Sequence, residues 1–167
     1  MPQMDTKLTG TTKALLYEYK KAIDELMQVI TPLTREEIIR ARDNVTSDPN
    51  CISIQTILSH LVYAGYAYIV FIENHAGQTA ERQPKLYFET AGDYIKALND
   101  LFDYSLKVFT DHPSLPLHEE DNKKKIVTNW GQEFDIEQMM EHAIVHILKH
   151  RRQIQRMLAE GNSALVA

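Results

Sequence analysis

Apolar positions fall three and four residues apart over several long stretches, and proline, glycine and polar clusters separate them. In the first stretch, residues 11–30, Leu15, Leu16, Tyr19, Ala22, Ile23, Leu26 and Ile30 mark one buried helical face. Thr31-Pro32 ends it, because a residue before proline avoids the helical region. Thr34-Arg35-Glu36-Glu37 predicts a short capped turn leading into Ile38 and Ile39. Residues 45–50, with Ser47, Asp48, Pro49 and Asn50, read as a loop. The second helix, residues 53–74, is apolar around most of its circumference, as expected of a helix packed on several sides. A polar loop, residues 77–84, follows. The third helix, residues 90–110, has a seam of Tyr94, Ile95, Leu98, Leu101, Phe102, Ser105, Leu106 and Phe109. Pro113 and Pro116 break it.

Residues 125–134 form the ambiguous piece. Ile126-Val127-Thr128 has strand-like composition, but a lone short run cannot build a sheet, and the segment reads as an extended connector. The last helix opens on Asp135 as N-cap, with Gln138 completing a capping box and Phe134 placed to staple onto Met139. It is expected to reach residue 160, with Gly161 as its C-cap. Four long helices without strand alternation predict an all-α four-helix bundle.

Composition narrows the class. The 167 residues suit a single domain, 1–167, able to bury a core without staples. Hydrophobic content is 44% and charged content 25%, which is globular. A formal net charge of −5 argues against a nucleic-acid partner, and Lys123-Lys124-Lys125 and Arg151-Arg152 read as solvated surface. The single cysteine, Cys51, excludes an intramolecular disulfide and a cysteine-based zinc site; it reads as a small buried filler. Residues 1–10 lack a basic segment followed by an apolar run, so no signal peptide is expected. The apolar run 61–72 falls short of the roughly 20 residues that span a bilayer. A cytoplasmic protein without a membrane partner is the expectation.

Candidate chemistry lies in the histidines. His142, His146 and His150 recur at every fourth position of the last helix, and residues so spaced lie on one face. At about 100° per residue, His150 turns into the apolar face made by Met139, Ala143, Ile147, Ile154 and Met157. His146 stands at its edge and His142 drifts toward solvent. Two imidazoles four residues apart on a helix can share one ion, although His146-Ile147-Leu148-Lys149-His150 lacks the glutamate of the zinc-protease helix. A catalytic site needs a third protein ligand and one open position. His60, in the apolar second helix, is the best remaining candidate, since an isolated imidazole there would lose solvation without a partner. It shares a side with Ala64, Ala67 and Phe71, so the core must extend to that side. Hydrogen-bonded core histidines that bind no metal are the alternative, and the neighbouring Lys149, Arg151 and Arg152 favour it.

The stretch from Trp130-Gly131-Gln132-Glu133-Phe134 through His142, His146 and His150 to Arg151-Arg152-Gln153-Ile154 resembles the C-terminal part of DinB-like proteins, of the DinB/YfiT-like metalloenzyme superfamily. A histidine followed by arginine, a variable residue and Gln-Ile is its sharpest element. Ile57-Leu58-Ser59-His60-Leu61 resembles the same family's second-helix signature, and helix order and length extend the likeness over nearly the whole chain. The resemblance implies a four-helix bundle of up-down-down-up type with long connections. It implies a three-histidine metal site at His60, His146 and His150, commonly filled by nickel or zinc, and often a homodimer. Activities in the superfamily include S-transfer and isomerisation with low-molecular-weight thiols. His142 is additional to the three-ligand pattern; Glu141, Gln153 and Tyr63 are candidates for orienting roles.

Two functional readings follow. In the first, a three-histidine ion with an open position activates water or a thiolate near neutral pH, as in a hydrolase or a thiol S-transferase acting on a small molecule. In the second, the bundle is a non-catalytic binding or dimerising protein whose ion is structural or whose site is vestigial. A structural ion would be closed by a fourth protein ligand, such as His142 or Glu141.

Overall fold

Each long helix begins at a side chain that caps it. Thr9 accepts from Thr12 N–H ahead of α1 (Gly10–Ile30), and Thr34 and Glu37 form a capping box on the short α2 (Arg35–Ile39). Ser53 and Thr56 do the same for α3 (Ile54–His75), and Thr90 accepts from Asp93 N–H ahead of α4 (Ala91–Asp111). Asp135 and Gln138 exchange hydrogen bonds of 2.8 and 3.0 Å at the start of α5 (Ile136–Ser163). These caps satisfy orphan N–H groups of the first turns and fix where each helix starts.

The structure, a computed structural model, describes residues 8–43 and 45–163, without the side chains of 161–163. Residues 1–7, most of the segment expected to lack a signal peptide, lie outside the described residues.

The four long helices form a ring in which α1 and α3 each pack against both α4 and α5. Their directions follow from cross-helix pairs. Ser59 bonds Tyr94 and Glu73 bonds Tyr104, so α3 and α4 run parallel. His60 meets His150 while Tyr68 meets His142, so α5 runs antiparallel to α3. Tyr19 packs on Phe102 and Glu25 pairs with Arg151, which aligns α1 with α5. The bundle is therefore all-α and up-down-down-up. Leu16, Ile23, Leu26, Ile57, Leu58, Leu98, Phe102, Met139 and Ile154 are fully or almost fully buried in its core.

Two parallel helices cannot be joined by a short turn. The α3–α4 connection must return along the bundle, roughly the 33 Å that 22 helical residues occupy. Residues 76–90 do this as an extended strap. Asn74 holds its upper end through both Ala80 N–H and Ala80 C=O, and Gln55 Nε2 donates to Phe88 C=O at its lower end. The buried Tyr94 hydroxyl accepts from Phe88 N–H and also bonds Gln55 C=O and Ser59 Oγ.

By length and hydropathy α3 is comparable to a membrane-crossing helix, with mean hydropathy 1.3 over its most apolar window, but 61% of that window is buried in the protein. Packing on several sides accounts for its composition.

The structure corrects two expectations. Residues 125–134 are not a plain connector: Ile126–Val127 pairs antiparallel with Glu133–Phe134. The partner strand carried no β-branched signature. The turn supplies the closure: Gly131 sits at φ 86°, and Thr128 and Gln132 bond each other's backbone. Gly161 does not cap α5, which continues through it to Ser163. Glycine ends a helix only where the chain turns left-handed, and among the described residues only Gly77 and Gly131 have positive φ.

Candidate metal centre

Because α3 and α5 are antiparallel, climbing one helix descends the other. His60 and Tyr68, two turns apart on α3, therefore face His150 and His146 on α5. Burial of Ala64 and Ala67 shows that the core does extend to the His60 side of α3. His146 Nε2 lies 3.0 Å from His60 Nε2 and 3.1 Å from His150 Nε2. The ligand nitrogens of the three residues all lie within 4.8 Å of one another. Adjacent nitrogens on one ion, with metal–nitrogen bonds near 2.0–2.1 Å, stand roughly 3.0–3.4 Å apart. The group of His60, His146 and His150 could thus hold a metal ion.

The donor set fits that use chemically. A neutral imidazole has one donor and one acceptor nitrogen. Gln153 Oε1 faces His150 Nδ1 at 2.9 Å, so Nδ1 carries the proton and the Nε2 lone pair points into the cluster. The Tyr68 hydroxyl lies 3.3 Å from His146 Nδ1 and can accept its proton in the same way. His146 Nε2 faces two other imidazole nitrogens but can serve only one of them by hydrogen bonding. A cation among the three lone pairs removes that conflict.

Electrostatics keep the rings neutral. Burial first, then the charges of His150 and His60, push His146 down to about 3. Burial, His150 and Lys85 push His60 down to about 4. His150, only 3% exposed, is lowered by burial, partly offset by its bond to Gln153. Neutral imidazole is the ligand form.

His142 is not part of the cluster. It is half-buried rather than solvent-facing, enclosed by Trp130, Phe134 and Tyr68 with ring centroids 6.3, 5.4 and 5.3 Å away. Its ring stacks along His146 at 6.2 Å. The hairpin supplies Trp130 and Phe134 to this cage. Of the three orienting candidates, Gln153 reaches the site. Tyr63 lies beneath the Arg82 guanidinium, 3.7 Å from its ring centroid, and Glu141 is exposed. Cys51 is also corrected: it is half-buried in a 3-10 turn, not a core filler, and its thiol donates to Gln153 Oε1 at 3.7 Å. Tyr68 was missed by sequence reasoning. The available signal was its position, two turns beyond His60 on the same face.

A cleft of about 450 Å³ opens beside the cluster, lined by His60, Tyr68, Trp130, His142, Arg82 and Lys85 among others. Such a cleft gives a small molecule access to one side of the histidine group.

No curated protein sequence matches this chain significantly. The DinB family model matches residues 4–161. Helix order, bundle topology and the histidine cluster agree with that match, and the chain belongs to the DinB family.

Proposed function

We propose that this protein is a divalent-metal-dependent enzyme of the thiol S-transfer or hydrolytic kind, with His60, His146 and His150 as the metal ligands. The observation that carries the reading is the convergence of three neutral imidazoles beside an open cleft. A divalent ion there would supply Lewis acidity, lowering the pKa of a thiol or water at neutral pH. The chain's own residues do the positioning. Gln153 fixes the tautomer and plane of His150, and Tyr68 does so for His146. Trp130, Tyr68 and His142 form an aromatic wall along one side of the cleft.

A purely structural ion would need a fourth protein ligand. Among the described residues the group contains three, and His142 is held away in its aromatic cage. This supports the catalytic reading over a closed structural site.

The test is elemental analysis of tag-free protein beside His146→Ala. About one nickel or zinc ion per chain is expected in the wild type and much less in the variant. Absence of metal from wild-type protein reconstituted with either ion would overturn the proposal. Thiol-transfer and hydrolysis assays on the loaded protein then separate the two chemistries.

A further inference from the structure

The strap that returns from α3 to α4 lines one side of the cleft beside His60, and it carries two cations there. Arg82 lies flat on the Tyr63 ring, and Lys85 Nζ donates to Asn50 Oδ1 at 2.6 Å. Both are half-buried, and both line the same cleft as His60. Lys85 also stands 5.2 Å from the Tyr87 ring centroid.

None of these contacts neutralises them. Among the described residues neither Arg82 nor Lys85 forms an ion pair, whereas Lys20, Arg35, Arg40, Lys96, Lys107 and Arg151 each meet a carboxylate. Among the described residues the cleft lining contains no acidic side chain. The nearby carboxylate of Asp48 is engaged by Asn50 N–H and the Asn50 side-chain amide. In a chain of net charge −5, two cations without an ion-pair partner are gathered at the cleft that His60 lines. The Tyr63 face and the Asn50 carbonyl hold the two heads in place, which lowers the entropy lost on binding a ligand. A metal ion in the histidine cluster would add further positive charge on the same side.

We infer that the cleft recognises its substrate through an anionic group, a carboxylate or phosphate, held by Arg82 and Lys85 while the rest of the molecule extends toward the histidine cluster. This deepens the proposed function and rests on it for the reaction, but anion binding itself can be measured apart from metal. Arginine offers a planar fork that matches either anion, and lysine adds a point charge.

The experiment titrates zinc-loaded and metal-free protein with succinate, with inorganic phosphate and with neutral succinamide at fixed ionic strength. Calorimetry reads binding, and Trp130, the only tryptophan and a residue of the cleft wall, reports its location by fluorescence. At least one anion should bind saturably and shift Trp130 emission, with succinamide at least about tenfold weaker, as loss of a charge-assisted hydrogen bond implies. The R82Q/K85Q variant should lose the anion by a similar factor and keep its metal content. The charge-conserving R82K/K85R variant should retain much of the binding and so controls for folding of the strap. Succinate or phosphate tells which anion class is preferred. Failure of both anions to bind, or equal binding by R82Q/K85Q, overturns the inference while zinc loading leaves the metal reading standing. Anion binding lost in R82Q/K85Q but with no zinc retained would sustain the inference and remove the metal reading.

Discussion

Gln153 Oε1 accepts the His150 Nδ1 proton at 2.9 Å from one helical turn further along α5. The same oxygen receives the Cys51 thiol from the 3-10 turn before α3, so one amide ties an imidazole of the proposed metal site to a second segment of the chain. Partners of this kind orient a ligand and raise its basicity, and their loss costs about 10–100-fold in metal affinity.

Gln153→Leu is therefore expected to weaken zinc binding by about 10–100-fold, measured by competition with a chromophoric chelator, while helical content stays unchanged. Gln153→Glu, which keeps an acceptor in place, should bind at least as tightly as the wild type. Unaltered affinity in Gln153→Leu would remove Gln153 from the site.

The helices were legible because their signals are local. The period of the apolar residues, Thr31-Pro32 and the Thr34 and Asp135 caps each act within a turn or two of chain. The pairing of His146 with His150 was legible for the same reason. His60 was harder, since its apolar neighbours Ala64 and Ala67 become a contact face only when α5 packs there. Tyr68, Arg82 and Lys85 were not read as site residues at all. Their placement depends on helix direction: antiparallel α3 and α5 bring Tyr68 to His146, and parallel α3 and α4 send the strap back along one side of the cleft. The hairpin failed for a related reason, because Glu133-Phe134 is a strand only by virtue of its partner.

The close approach of α3 and α4 depends on a missing side chain. A Cβ on Gly65 would collide with a methyl of Leu101, which is 1% exposed, and would crowd the Tyr19 hydroxyl. Gly65→Ala should destabilise the protein by about 1–3 kcal/mol in urea unfolding, because overpacking outweighs the helix propensity gained. Gly92, exposed in the first turn of α4 with only Thr90 nearby, supplies the opposite case. Gly92→Ala should stabilise by about 0.4–1 kcal/mol. A stabilised Gly65→Ala would show that Leu101 can move aside freely.

Acid should act on the metal-free protein through the buried histidines. An imidazole in the unfolded chain has its ordinary pKa of 6.5, while folding pushes His60 down to about 4 and His146 down to about 3. Below 6.5 the unfolded chain therefore takes up protons that the folded chain refuses, and linkage makes stability fall as pH falls. The contribution is fully present above 6.5, declines below it, and goes on declining until the folded values are passed. Carboxylates complicate the lower end of that range, so the informative window is pH 7 to about 5, where the unfolded imidazoles titrate and most carboxylates do not. In that window the urea midpoint of metal-free wild type should drop with acid, and that of His146→Gln should drop less. Zinc-loaded protein should lose stability more steeply over the same range, since protons then also compete with the ion for the three nitrogens. Parallel pH profiles for wild type and His146→Gln, both metal-free, would mean that His146 is as solvated in the folded chain as in the unfolded one, and the buried cluster would have to be redrawn.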